Sequence, residues 1–196
     1  MGRISTFAAV ATLAAAMVSA PAMAQDTGIT CIQNSYTAEQ IGAIGDASRN
    51  LANGSQLNQS ALNQIVMIAA PAIQACATQS GWDQQQAMYA TFYEMGRVSE
   101  QGFRASGLLT PNELARLDAG LAGPDSADVW AAVENTVMAS LGGTVQVSNM
   151  DALTMGAFIT GLGLDVGSAG TDTPELVGML LGFMGLQRIG SREFAN

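Results

Sequence analysis

The stretch 175-ELVGMLLGFMGLQRIG-190 is apolar on every face over its first dozen residues. A stretch of this kind forms a membrane span, an interfacial helix or the central helix of a core. As a helix, residues 176–186 would extend about 17 Å, whereas the hydrocarbon layer of a membrane is about 30 Å thick. Thr173 and Pro174 before it are typical of a helix start in a soluble domain, and Arg188 and Arg192 suit the helix dipole at its end. The stretch therefore predicts a buried core helix.

Glycine residues occur inside this predicted helix and the one before it. Gly178 and Gly182 lie four residues apart, and Gly156 belongs to the preceding helical segment. This spacing marks a membrane dimer only inside an apolar span of about 20 residues, which is absent here. We therefore expect these three glycines to let the backbone of a neighbouring helix approach closely.

Helix signals recur along the rest of the chain. Thr37, Thr110 and Ser148 each precede an apolar pattern with helical spacing, and the first two have Gln or Glu three residues later, as in a capping box. Pro71 interrupts one helical run, where it should kink the helix or split it in two. No convincing strand is found. The pattern predicts an all-α fold, a single irregular bundle of about seven short helices.

The N-terminus has the three parts of a secretory signal peptide. Arg3 supplies the positive charge, residues 7–18 form an apolar segment, and small residues precede a cleavage site between Ala24 and Gln25. We expect residues 1–24 to be removed, which leaves residues 25–196 as a single helical domain without an integral membrane segment. The predicted location is the periplasm or the extracellular medium.

The chain contains two cysteines, Cys31 and Cys76. An even number of cysteines behind an export signal predicts a disulfide. The Cys-x-x-Cys spacing that tunes a redox-active pair is missing, so we expect a structural bridge that fixes the N-terminal part of the mature chain to a helix.

The ionisable residues exclude several classes of function. The net charge is −9, and it becomes −10 if Arg3 is lost with the leader; all seven basic residues are Arg, and the chain has no His. Nucleic acids and anionic membranes need clustered cations, so neither is an expected partner. Catalysis through a His-containing triad, zinc sites with His ligands, and Schiff bases on Lys are excluded. The sequence favours a non-enzymatic protein without a cofactor.

The best candidates for acid–base chemistry are Glu94 and Glu100, because two carboxylates can serve as acid and base in glycoside hydrolysis. They lie six residues apart on one predicted helix and point in different directions, so catalysis would require an acidic residue from another helix. Arg97 and Arg104 on the same helix offer a simpler interpretation, a solvated face with Glu–Arg pairs.

No metal site is predicted. A calcium loop that began at Asp165 would place Gly167 and Ala169 at positions that need oxygen ligands. The methionines are scattered rather than clustered as in copper carriers, and they are typical of adaptable core or binding surfaces.

Three functions remain as hypotheses. The first is an exported, non-enzymatic helical module that binds a protein or an apolar ligand. The second is a hydrolase of envelope glycan that uses carboxylates. The third is an acid-responsive periplasmic holdase, whose charge falls near its sequence pI of about 4.1 and whose apolar helices then become exposed.

Overall fold

The computed structural model describes residues 28–54, 56–143, 147–164 and 173–196, which form mainly α-helices. The predicted leader, its cleavage site and Asp165 lie outside these residues. The helices are α1 (Cys31–Ser35), α2 (Ala38–Arg49), α3 (Gln59–Ser80), α4 (Gln84–Ala105), α5 (Pro111–Leu121), α6 (Ser126–Leu141), α7 (Asn149–Gly161) and α8 (Thr173–Phe194). Two short antiparallel strands, β1 (Ala52–Asn53) and β2 (Gln56–Leu57), pair Ala52 with Leu57 between α2 and α3. The all-α prediction is confirmed, with the five-residue α1 as an addition.

The predicted helix starts are confirmed by their hydrogen bonds. Thr37 and Thr110 form capping boxes with Gln40 and Glu113, and the hydroxyl of Ser148 accepts a hydrogen bond from the amide of Asp151. Each cap satisfies a backbone amide that the first helical turn leaves without a partner. These starts are local features, which is why the sequence predicts them.

Pro71 lies inside a continuous α3, so the predicted split of this helix is wrong. The proline is exposed on the outer face of the helix. Ala69, Ala72 and Ile73 around it are buried against the rest of the protein. This packing helps the helix to continue through the proline despite the missing backbone donor.

The most extensive contact between helices is that of α4 with α8, which run antiparallel. A Cβ atom added at Gly96 would lie 2.5 Å from the backbone nitrogen of Gln187. A Cβ atom added at Gly190 would overlap the backbone of α4 in the same way. The two main chains therefore touch, which only glycine permits.

The glycines expected to make such contacts do not make them. A Cβ atom at Gly156, Gly178 or Gly182 would meet no atom of the described residues within 4 Å. The prediction is therefore wrong for all three. Gly178 and Gly182 lie off the buried face of α8, and Gly156 is exposed on α7. The contact with α6 is made instead by Gly185, where an added Cβ atom would lie 2.6 Å from Val133 Cγ1.

The largest group of buried side chains surrounds α8. Leu176, Val177, Leu180, Leu181 and Ile189 of this helix are all at most 7% exposed. They pack with buried residues of α4 to α7 and of the following loops, namely Phe103, Leu109, Leu117, Val129, Val133, Val137, Ile159 and Leu164. The prediction of a core helix is therefore confirmed.

The predicted disulfide is present. Cys31 in α1 and Cys76 in α3 are joined by a bond of 2.04 Å, with their Cα atoms 6.0 Å apart. Both half-cystines are buried, and Ile32 and Ile73 pack beside them. The bridge fixes the short α1 to the C-terminal part of α3.

Candidate functional site

Glu94 is fully buried in the middle of α4, so the expected solvated Glu–Arg face is wrong at this residue. Its Oε1 atom accepts hydrogen bonds from the hydroxyl of Tyr36 at 2.9 Å and from Nη2 of Arg97 at 2.6 Å. Its Oε2 atom accepts a hydrogen bond from Nε of Arg97 at 2.9 Å. Arg97 also donates to the side-chain oxygen of Gln101 at 3.0 Å. The cluster joins the segment before α2 to α4.

The partners of Glu94 keep their protons. Burial raises the pKa of Tyr36, and the negative charge of Glu94 raises it further, so the phenol remains a donor at neutral pH. Burial lowers the pKa of Arg97, but the hydrogen bonds and the charge of Glu94 raise it by more. Both carboxylate oxygens therefore face fixed donors. Such an arrangement balances a buried charge and holds helices together.

Glu100 belongs to a separate cluster. Its Oε1 atom accepts a hydrogen bond from Nε of Arg104 at 2.9 Å. The two terminal nitrogens of Arg104 donate to the carboxylate of Asp118 at 3.1 and 2.8 Å, which connects α4 to α5. Glu94 and Glu100 share no hydrogen-bond partner, so the structure does not bring the two predicted carboxylates together.

Glu134 on α6 is the main ionic contact of α8. Its Oε1 atom accepts a hydrogen bond from Nε of Arg188 at 3.2 Å, and its Oε2 atom accepts one from Nη1 of Arg192. Burial raises the pKa of Glu134, but the two guanidinium groups lower it by more, so the net pKa lies below its ordinary value. This side chain therefore acts as a permanent anion near neutral pH.

A glycosidase acid needs a carboxyl group that keeps its proton near neutral pH. Within the described ranges, each carboxylate that is not exposed contacts an arginine or takes part in a helix cap. The arginine contacts are those of Glu94, Glu100, Glu134 and Glu193, and the caps are those of Glu113 and Asp151. This geometry lends no support to the predicted glycan hydrolase, which stays a prediction.

In the part of the chain that the structure describes, no three or more His, Cys, Asp or Glu side chains are grouped so that they could hold a metal ion. The cysteine sulfurs are joined to each other in the disulfide.

One described helix, α3, is long and apolar enough to cross a membrane, with a mean hydropathy of 1.3 over its best window. In that window 39% of the residues are buried inside the protein. A buried core helix of a water-soluble domain meets the same criteria. The predicted absence of a membrane segment in the mature chain thus stays a prediction.

An open groove of about 300 Å³ lies between α3 and α4. We call it the neutral groove, because no charged side chain lines it. Its walls are mainly apolar or small and include Val66, Ala69, Ile73, Ala87, Met88 and Met95. Val66 and Met88 are 42% and 44% exposed, and Met67 beside Val66 is 75% exposed. The protein thus offers apolar side chains to solvent on this face.

Nothing matches this chain among protein-family models, curated proteins or solved structures. A proposal about its function therefore rests on its own residues and their geometry.

No single motif in the sequence indicates the neutral groove, although the distribution of charged residues contains a signal for it. No charged residue occurs between Arg49 and Asp83, and the next one after Asp83 is Glu94. In a chain with 16 acidic and seven basic residues, two consecutive helical segments with so few charges are unusual. The sequence could therefore have indicated a neutral surface, but not that α3 and α4 pack side by side with a groove between them.

Proposed function

We propose that this protein is an exported, non-enzymatic binding module and that its neutral groove receives apolar side chains of a partner protein. The observation that carries the proposal is the combination of apolar walls, exposed Val66 and Met88, and no charge in a protein of net charge −9. Exposed apolar surface of this kind is typical of interaction sites.

The size and composition of the groove favour a protein partner over a small apolar molecule. A volume of about 300 Å³ lies at the lower end for pockets that enclose a drug-sized ligand. A groove that is open along two helices suits two or three side chains from one face of a partner helix. Met88 and Met95 can adapt their shape to such side chains.

Export is supported by the predicted signal peptide and by the disulfide between Cys31 and Cys76, a bond that persists in oxidising compartments. In such a compartment the acidic surface disfavours contacts with anionic envelope components. The neutral groove is then the face on which association meets little electrostatic repulsion.

Val66→Glu tests the proposal, because it places a charge in the neutral groove. Gln64→Glu is the matched control, since it adds the same charge at an exposed polar position of α3 outside the groove. The probe is a leucine-rich amphipathic helical peptide, titrated into the mature protein and followed by calorimetry. We expect Val66→Glu to weaken binding at least tenfold and Gln64→Glu to leave it nearly unchanged.

Three other outcomes bear on the function of the groove. If the peptide does not bind but an apolar dye does, and Val66→Glu abolishes dye binding, the groove takes small apolar ligands instead. If neither probe binds, or if both variants bind equally, the proposal is wrong.

A second candidate, the acid-responsive holdase, is favoured by the contact of Glu134 with α8. Protonation of this carboxylate removes the partner shared by Arg188 and Arg192 and loosens α6 from α8. Circular dichroism and dye binding between pH 7 and pH 3 test it. Exposure of apolar surface without loss of helix is expected, and an unchanged compact fold at pH 3 contradicts it.

A further inference from the structure

A second concave surface lies between α4, α6 and α8. It is an open cleft of about 610 Å³, and we call it the arginine cleft. Trp130 and Glu134 reach it from α6, Arg188 and Arg192 from α8, and Tyr93 from α4. Its polar and aromatic residues distinguish it from the neutral groove on α3 and α4.

Arg188 is held in a fixed orientation. The central carbon of its guanidinium group lies 4.3 Å from the centre of the Trp130 ring, and its Nε atom donates to Glu134 at 3.2 Å. These two contacts fix the plane of the group. Among the described residues, none accepts a hydrogen bond from Nη1 or Nη2 of Arg188, and the side chain is 49% exposed. The outer end of the guanidinium group is thus free to bind.

Arg192 lies one helical turn further along α8. Its Nη1 atom donates to Glu134, and its Nε atom donates to Glu193 at 2.8 Å. Its Nη2 atom has no acceptor within the described ranges. Two like charges at this spacing repel each other, and Glu134 between them offsets the repulsion. One carboxylate therefore orients two guanidinium groups.

We propose that the arginine cleft binds the carboxylate of a ligand that carries an apolar group beside it. The two Nη atoms of Arg188 match the two oxygens of a carboxylate, which is the bidentate geometry that arginine favours. Tyr93, Trp130 and Met184 in the same cleft offer surface to the apolar group. A singly charged carboxylate fits better than a phosphate dianion, because Glu100 and Glu134 also line the cleft.

Such a carboxylate has two sources, a small organic acid or the C-terminus of a peptide. Three probes separate them: 3-phenylpropionate, the tripeptide Ala-Ala-Phe with a free C-terminus, and the same tripeptide with an amidated C-terminus. Calorimetry on the mature protein gives their affinities. We expect the free acids to bind at least tenfold more tightly than the amide. Binding of phenylpropionate identifies a general carboxylate site, and binding of the free tripeptide alone identifies a peptide C-terminus.

Variants of the cleft supply the second part of the test. Arg188→Gln should weaken binding of the free acid at least tenfold, and Arg188→Lys should weaken it less, because it keeps the charge but not the paired donors. Arg49→Gln is the matched control, since Arg49 pairs with Asp46 on α2 and does not line the cleft. Thermal unfolding shows whether each variant remains folded. If Arg188→Gln does not fold, the comparison of Arg188→Lys with the parent protein provides the test.

Three results would overturn the assignment: equal binding of acid and amide, equal binding by Arg188→Gln and the parent protein, or no binding of any probe. Displacement of the acid by inorganic phosphate at a lower concentration would show that the ligand class is wrong. Because the neutral groove is a different surface, Val66→Glu should leave carboxylate binding unchanged. A negative result for carboxylate binding therefore does not contradict the proposed function of the neutral groove. A negative result for peptide binding to that groove does not contradict the carboxylate site.

Discussion

At Gly190, a single added carbon atom would meet the backbone of Tyr89 and Tyr93, because α8 and α4 touch there through their main chains. Gly96 plays the same part from the side of α4. The atoms that an added methyl group would strike are backbone atoms of a packed helix, which cannot move away as the end of a flexible side chain can. The distance between the two helices is therefore set by two residues.

Gly190→Ala should destabilise the protein by about 1–3 kcal/mol, because the methyl group forces α4 and α8 apart. Gly178→Ala on the same helix is the control, since no described residue lies within 4 Å of its added carbon. This control should be stabilised by about 0.5–1 kcal/mol, because alanine favours the helix. Urea unfolding followed by circular dichroism measures both changes. Equal effects of the two substitutions would contradict the close backbone contact of α4 and α8 at Gly190.

Glu94→Gln should lower the free energy of unfolding by about 3 kcal/mol. The substitution leaves Arg97 beside a neutral amide, and an unbalanced buried charge is costly. Asp46→Asn breaks an exposed pair with Arg49 of the same i,i+3 spacing, and it should change stability by less than about 1 kcal/mol. Comparing the two variants separates the effect of burying an ion pair from the effect of removing a charge. Chemical unfolding at pH 7 measures the loss of unfolding free energy in each variant. A similar small loss in both variants would show that Glu94 does not hold the cluster together.

At the scale of helices, the sequence indicates where most of them begin but not which of them pair. Thr37, Thr110 and Ser148 act on amides three residues away, so their role can be predicted from nearby residues alone. The contacts of Gly96 and Gly190 depend on how two distant helices are placed, and the short-range spacing of Gly178 and Gly182 does not contain that information.

The same limit applies to the candidate sites. An acidic residue followed three positions later by Arg has the same sequence pattern in both environments. The pair of Asp46 and Arg49 is exposed, whereas the pair of Glu94 and Arg97 is buried. Burial depends on which helices cover the pair. The arginine cleft likewise forms only because α6 lies beside α8. From the sequence alone, Arg188 can be predicted only to lie near the end of a helix.

The contact between α6 and α8 should depend on pH through Glu134. Its pKa is lowered in the folded protein, so its contribution to stability is fully present above the ordinary value of about 4.5 and is lost as the pH falls through the folded pKa. Glu134→Gln should reduce stability at pH 7 by about 1 kcal/mol and make stability fall less steeply between pH 5 and pH 3. Unfolding curves at several pH values provide the measurement, and identical slopes in the variant and the parent protein would contradict the role of Glu134.

For the whole molecule, the disulfide connects residues that lie 45 positions apart. Closing a loop of this length stabilises a folded chain by about 4 kcal/mol in the chain-entropy description. Replacing both Cys31 and Cys76 with Ser should therefore lower the unfolding free energy by about this amount. Adding a reductant to the parent protein should produce a similar loss and should not affect the double variant. If the reduced parent unfolds at the same urea concentration as the oxidised protein, the bridge is not a structural support.

The pairing of α4 with α8 also determines when folding can finish relative to synthesis of the chain. Residues 84–105 are made well before residues 173–194, so Gly96 of α4 has no partner backbone until the last of the described helices emerges. Contacts between such distant segments form late and slowly. The contact between α4 and α8 thus forms only after nearly all of the described chain has been made, and this delay is compatible with the export that we propose.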